Sequence, residues 1–468
     1  MAGTSSFFRL RRTFRPGFLL APLIGLLLAF SARAGPAPEP DLRCPEYVAR
    51  HAPLVWLHSD DPFKPSDLLT HIRHTTPTRE DGKPIADLPP LDLDNLDLLN
   101  EIRDDGRGED VFLASNDDPL TYPAWIRGEA PDAEGRIRGA TPCVVVLVEK
   151  TPRDLDAFYF YFYSFNEGPN ITQVLEPINR LVNDTKLDSG WHFGDHVGDW
   201  EHNMVRFRDG KPVGIYYSQH MGGSAYEWDD SKVSKVDDRP VVYSARGTHA
   251  NYPAPGKTNT ALSSQVHDAA IFDYCDEGQK WDPVLSAYFF RFDADSFTVT
   301  RLESPVPSPD DPPASANLTS LFYYAGRWGD AAFPDADPRQ ARVPKFGLKR
   351  FVPGPNGPRH KHLVRKGLKP NKTRKMSWKE WAVRVFMAWY PCCIRGWRRW
   401  VSLGVFVVVL SALVIGIVFG VRKYQTRKYR KLREEEIPLD DWVLEEEALL
   451  APSDEDDDFD KPDKNKTR

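Results

Sequence analysis

Glu201-His-Asn-Met-Val-Arg-Phe-Arg208, the pair Asp209-Gly210 and Val213-Gly-Ile-Tyr-Tyr-Ser-Gln-His220 read as strand, turn and return strand. Asp-Gly tolerates the positive backbone angles that a two-residue hairpin turn requires. With a side-chain period of two, Asp199, Glu201 and Asn203 share one face of the first strand. The row continues as Val205 and Phe207, so its apolar part faces a core and its polar end opens toward solvent.

Outward from this hairpin, short strands recur at residues 52–58, 142–149, 240–244, 288–292 and 297–302. Residues 156–165 alternate Phe and Tyr, which predicts a long strand with rings buried on one face and hydroxyls pointing outward on the other. Short helices are expected at 47–50, at 66–74 with Ser66 as its cap, and at 174–182. No long helical periodicity crosses this region. The expected architecture is mainly β, an antiparallel β-sandwich or jelly-roll-like body.

Hydrophobic residues make up 41% of the 468 and aromatics 12%, ample for a large core. The formal charge of −6 hides an asymmetry, because residues 342–375 are basic whereas residues 434–463 hold 15 acids. Arg9, Arg11, Arg12 and Arg15 precede an apolar run at 18–30 and then Ala32-Arg-Ala34, the pattern of a cleaved signal peptide over 1–34. Residues 400–421 are 22 in number and uncharged, enough for about 33 Å of helix. Seven Lys or Arg follow within 422–433, against four in the twenty residues before the span. That bias predicts a single-pass type I membrane protein with a cytosolic C-terminus.

The expected layout is therefore a luminal β-rich domain at 35–366, a basic stalk at 367–399, the span at 400–421 and an acidic cytosolic tail at 422–468. Within the stalk, Trp378, Trp381, Ala382, Val385, Phe386 and Trp389 fall on one helical face, as in a helix lying in the membrane interface. Nucleic-acid binding is excluded by this topology, since anionic lipid is the nearer partner for the basic run. Cys44, Cys143 and Cys275 permit one disulfide in the body, with the pair left open. Asn170, Asn183, Asn317 and Asn371 stand in glycosylation sequons that a luminal body would expose to modification.

Chemistry concentrates in Asp188-Ser-Gly-Trp-His-Phe-Gly-Asp-His-Val-Gly-Asp-Trp-Glu-His202. Imidazoles mixed with carboxylates suit a divalent cation (Ca, Mg, Mn or Zn), and the intervening glycines let neighbouring ligands converge. The expected ligands are Asp188, His196, Asp199 and Glu201. Asp195, together with Arg246, His249 and Asn251 from Arg246-Gly-Thr-His-Ala-Asn251, are candidates for contacting a bound ligand. The tail carries Glu445-Glu-Glu-Ala-Leu-Leu450, in which Leu449, Leu450 and the upstream Glu445 fit the acidic dileucine signal that clathrin adaptors read.

Five stretches, Ala52-Pro-Leu-Val-Trp-Leu-His-Ser59, Gly194-Asp-His-Val-Gly-Asp-Trp-Glu-His202, Tyr243-Ser-Ala-Arg-Gly-Thr-His-Ala250, Gly326-Arg-Trp-Gly-Asp330 and Gly354-Pro-Asn-Gly-Pro-Arg359, together resemble the fungal vacuolar protein sorting-associated protein 62 family. The resemblance covers about residues 44–365 and implies a vacuolar-sorting association, with a vacuolar or endosomal membrane as the location and the cell surface or Golgi as alternatives. The spacing His196-x-x-Asp199-Trp200-Glu201 is also similar to a heptapeptide of the necrosis- and ethylene-inducing peptide-like proteins. There, His, Asp and Glu with an upstream Asp hold a cation that helps recognise sphingolipid sugars. Gly198 stands here in place of that family's second histidine. The resulting expectation is a non-enzymatic binder of a glycan, lipid head group or partner, and the alternative is a metal-dependent hydrolase. No Ser-His-Asp order, phosphate loop or His-Glu-x-x-His signature favours the alternative.

Overall fold

The computed structural model describes residues 41–102, 110–169, 192–220, 222–259, 272–306, 316–343, 348–371 and 397–434. The signal segment, the 174–182 helix, the stalk helix, Asp188, Asn170, Asn183 and the tail signal with Glu445, Leu449 and Leu450 lie outside the described residues.

Eleven strands position the site. They are β1 (Leu54–Leu57), β2 (Cys143–Glu149), β3 (Asp154–Asn166), β4 (His196–Arg208), β5 (Lys211–Gln219), β6 (Gly222–Glu227), β7 (Arg239–Ser244), β8 (Asn251–Tyr252), β9 (Gln279–Trp281), β10 (Ala287–Asp293) and β11 (Thr298–Leu302). A seven-stranded sheet runs β11-β10-β2-β3-β4-β5-β6, and a smaller sheet contains the run β8-β7-β1-β9. The 201–220 hairpin forms as read, with Asp209 and Gly210 at φ 51° and 72° in its turn.

The expectation of antiparallel pairing holds for most of the large sheet and fails in two places. β10 pairs parallel to β2, and β1 pairs parallel to β7. Parallel neighbours require crossover chain, and here the crossovers span most of the body. Sequence spacing alone does not reveal which distant strands meet.

The long aromatic strand divides the core. Phe158, Phe160 and Phe162 pack with Trp200, Met204 and Trp328 on one face. Tyr159, Tyr161 and Tyr163 pack on the other, in a cluster that includes Val55, Val242 and Trp281 of the smaller sheet. The tyrosine face was expected to carry hydroxyls outward. It is instead buried, because the smaller sheet covers it; Tyr161 is 0% exposed. Burying each such ring contributes roughly 2–3 kcal/mol, offset where a hydroxyl loses water. Tyr159 recovers a hydrogen bond by donating to the Val48 carbonyl at 2.6 Å.

Local corrections are small. The helix Leu68–Arg73 is capped by Asp67, which accepts from Thr70 N, rather than by Ser66. Cys44, Cys143 and Cys275 are all buried and unpaired, so the body's permitted disulfide does not form among them. Asn317 and Asn371 are exposed. The helix Arg398–Glu434 contains the one stretch among the described residues, Trp400–Arg427, that is long and apolar enough to cross a membrane.

Candidate functional site

The C-terminal ends of β1 and β7 deliver Asp61 and the Arg246–His249 turn to the edge of the large sheet where β3 ends and β4 begins. Asp199 pairs with Tyr163 and Glu201 with Tyr161 across β3 and β4, so both carboxylates lie on the tyrosine face, as the period-two reading requires. The row stays partly open only at Glu201: Asp199 is 6% exposed and Asn203 is fully buried. The turn above Asp199 seals that end.

His249 is the hub. It adopts φ 52°, a left-handed conformation, which turns its ring inward. The ring stacks on Tyr163 with centroids 3.7 Å apart, its Nδ1 lies 3.0 Å from Asp199 Oδ2, and its Nε2 lies 3.7 Å from Asp61 Oδ2. Asp61 in turn accepts from Gly247 N at 2.8 Å. Burial disfavours an imidazolium here, but the Asp199 hydrogen bond and the Asp61 and Asp199 charges raise the His249 pKa above its usual value. Burial likewise opposes ionisation of Asp199, yet His249, His196 and Lys361 hold its pKa below the usual carboxylate range.

Glu201 differs. Burial and then the Asp199 charge push its pKa up to about 7, while the Ser218 hydroxyl donates to Oε2. Alongside it, His220 Nε2 meets Asp273 Oδ2 at 2.8 Å, and Asp273 also accepts from Thr248 and Tyr252.

The other expected residues are placed as follows. His196 bonds the Gly198 carbonyl through Nδ1 at 2.6 Å, which leaves Nε2 as its lone-pair nitrogen. Asn251 is fully buried, donating to the His202 carbonyl at 3.4 Å. Arg246 donates to Glu167 at 2.7 Å, beside a cleft of about 100 Å³ lined by Pro62, Phe63, Tyr122, Arg127 and Glu167. Asp195 does not join His249. It accepts from Gly168 N at 2.9 Å and Arg350 at 3.4 Å, and burial pushes its pKa up to about 6. His202 points to the opposite face, where its Nε2 accepts from buried Arg365 at 2.8 Å.

The donor chemistry suits a cation, but among the described residues no three His, Cys, Asp or Glu side chains form a group able to hold one. Asp61, Tyr163, Ser218 and Lys361 were not singled out from sequence. Asp61 sits in Ser59-Asp-Asp-Pro62, whose composition signals only a turn, so nothing local marks it as a partner of His249.

The glycines of the motifs serve backbone contact more than ligand convergence. Gly198 has φ 69°, and a Cβ there would collide with the Trp328 carbonyl. A Cβ on Gly329 would collide with the Val197 carbonyl, and one on Gly354 would lie 2.6 Å from Gly329. Three of the quoted stretches thus meet backbone to backbone behind the site.

These features define a β-rich protein with a buried carboxylate–imidazole cluster and one apolar C-terminal helix. Residues 157–281 match the family described as vacuolar protein sorting-associated protein 62. The chain is 33% identical over 352 residues to vacuolar protein sorting-associated protein 62 of Saccharomyces cerevisiae, covering 69% of this chain and 67% of that one. It is 31% identical over 356 residues to TDA6, a second protein of that yeast named for vacuolar protein sorting, covering 69% and 68%. The chain belongs to the vacuolar protein sorting-associated protein 62 family. No solved structure matches it.

Proposed function

We propose that this chain is a single-pass type I membrane protein of the vacuolar or endosomal system. In this reading its body is a luminal β-sandwich that presents a divalent-cation site to a glycan, lipid head group or protein partner. The relatives' names support the sorting association, and the apolar helix supports membrane attachment. The observation that carries the cation is the Asp199–Glu201 pair: two carboxylates on one face, with Glu201 pushed up to about 7 by burial and then by the charge of Asp199. A cation held by Asp199, Glu201 and His196 Nε2, with Asp188 as the upstream ligand, would relieve that repulsion and offer open positions to ligand oxygens. Arg246, Asn251 and His249 would border the ligand.

The test is elemental analysis of the purified full-length chain beside Asp199→Ala/Glu201→Ala, with melts in the presence and absence of chelator. Near-stoichiometric metal that the variant loses supports the reading; none in either protein, even after adding Ca, Mg, Mn or Zn, removes it.

One observation favours the hydrolase alternative. Asp199 orients His249 through Nδ1, the arrangement of a general base. His202 is not available for that role, being engaged by Arg365 on the far face. For the tail, Leu449→Ala/Leu450→Ala should move the protein from internal membranes to the cell surface if an adaptor reads the dileucine. Unchanged localisation ends that proposal.

A further inference from the structure

The cleft beside Arg246 holds none of the cation ligands named above, and two opposite charges border it without meeting. Pro62, Phe63, Tyr122, Arg127 and Glu167 line its roughly 100 Å³. Arg127 donates through Nε to the Tyr122 carbonyl at 3.0 Å, and its two terminal nitrogens make no bond among the described residues. Glu167 is 8% exposed and accepts from Arg246 at Oε2, which leaves Oε1 without a hydrogen bond among the described residues. The remaining walls are apolar and fixed. The rings of Phe63 and Tyr122 have centroids 5.5 Å apart, and both pack on Phe165, at 4.9 and 6.0 Å. Tyr122 adopts φ 48°, a left-handed conformation that a non-glycine residue keeps only where its surroundings impose it. Lys64 N donates to the Arg127 carbonyl at 2.7 Å and Glu129 N to that of Pro65 at 3.0 Å, so two of the walls are tied together.

A volume well below the roughly 300 Å³ at which pockets for whole drug-sized ligands begin admits a single substituent. That substituent must offer an acceptor to Arg127, a donor to Glu167 and a small apolar end to Pro62, Phe63 and Tyr122. A planar secondary amide supplies the first two from opposite sides, and an acetyl methyl supplies the third. None of the lining residues lies within a strand, so the cleft offers no sheet edge along which an acetylated peptide could pair its backbone. Arg127 is exposed at the rim, and the Arg246 side chain is 37% exposed, so both can donate to hydroxyls flanking the amide. We propose that this cleft binds the acetamido group of an N-acetylhexosamine. The carbonyl oxygen sits on Arg127, the N–H on Glu167 Oε1 and the methyl against Phe63 and Tyr122. Such a site rests on the glycan part of the reading above and uses none of its cation ligands.

Saturation-transfer NMR on the full-length chain in detergent, with N-acetylglucosamine as the probe, tests this. The expected result is transfer that is strongest at the acetyl methyl protons, unchanged by chelator and absent for glucose at the same concentration. Arg127→Met should weaken binding about tenfold or more, because a hydrogen bond from a charged donor is lost. Tyr122→Asn removes the ring while tolerating the left-handed backbone, and should weaken binding likewise. Arg127 is exposed, so its variant covers the case that Tyr122→Asn does not fold. Transfer that disappears in chelator yet survives Arg127→Met would overturn the cleft and place the sugar at the cation. Transfer to N-acetylglycinamide as strong as that to the sugar would overturn the choice of a sugar. No transfer to N-acetylglucosamine from the wild-type chain would overturn the site outright, whereas the cation reading stands or falls separately on the elemental analysis.

Discussion

Asp199 Oδ2 and His249 Nδ1 lie 3.0 Å apart although 50 positions of chain separate the two residues. Neither is exposed beyond 6%, so the pair is formed by the docking of the smaller sheet's turn onto the larger sheet. It joins the two layers and organises everything around it.

Removing the carboxylate should therefore cost stability. Asp199→Asn is expected to destabilise the body by about 3 kcal/mol, because a buried imidazole loses its ion partner. The sign with pH follows from His249, whose folded pKa is raised. Its contribution is fully present below about pH 6.5 and is lost as pH rises through the folded value. Asp199 is shifted the opposite way, so its contribution holds above the ordinary carboxylate range and fades only in strong acid. Denaturant unfolding from pH 5 to 9 should show the gap between wild type and variant narrowing above neutrality. A gap that widens there would contradict the ion pair.

Glu201 also costs the wild type stability as pH rises, but here the variant becomes the more stable of the two. Its folded pKa of about 7 means that ionisation destabilises the fold as pH rises from the ordinary glutamate value towards neutrality. In chelator, Glu201→Gln should be about 1–3 kcal/mol more stable than wild type at pH 8 and indistinguishable at pH 4. Equal stability at both values would show that Glu201 titrates normally.

Gly198 and Gly139 separate two costs of adding a methyl group. Both have positive φ, 69° and 67°, but a Cβ on Gly139 meets nothing within 4 Å, whereas one on Gly198 collides with the Trp328 carbonyl. Gly139→Ala should cost about 1 kcal/mol from backbone strain alone. Gly198→Ala should cost several kcal/mol, about 3 or more, or prevent folding. Melting temperatures of the two variants decide it.

Arg365 is buried at 1% exposure, with its guanidinium 4.8 Å from the Phe158 ring centre and 4.5 Å from that of Tyr216. It bonds His202 and the carbonyls of Lys361, His362 and Leu368. An ammonium cannot stack or fork in this way, so Arg365→Lys should lose about 3 kcal/mol. Chemical denaturation measures it; an unchanged midpoint would mean the segment is held by other contacts.

Much of the strand content was legible locally. The 201–220 hairpin, the Phe/Tyr strand and the apolar helix each announce themselves within a dozen or two residues, through period, turn chemistry or run length. So did the shared face of Asp199 and Glu201, since strand parity is a property of the backbone. The burial of that face was not legible, nor was the burial of the tyrosine hydroxyls. Both depend on β1 pairing with β7 across most of the body, and no local pattern encodes a parallel partner so far away.

By itself, then, the sequence determined most of the large sheet's strands (but not β6, β8 or β9), which side chains share a face, where an apolar helix runs and, through five short motifs, the family. Only the tertiary structure decided that Asp61 and His249 meet Asp199, that His202 faces Arg365 instead, and that the glycines serve backbone contact. The physical reason is the range of the forces. Backbone geometry acts over a few residues, whereas desolvation and charge pairing act between surfaces that exist only once the sheets have packed.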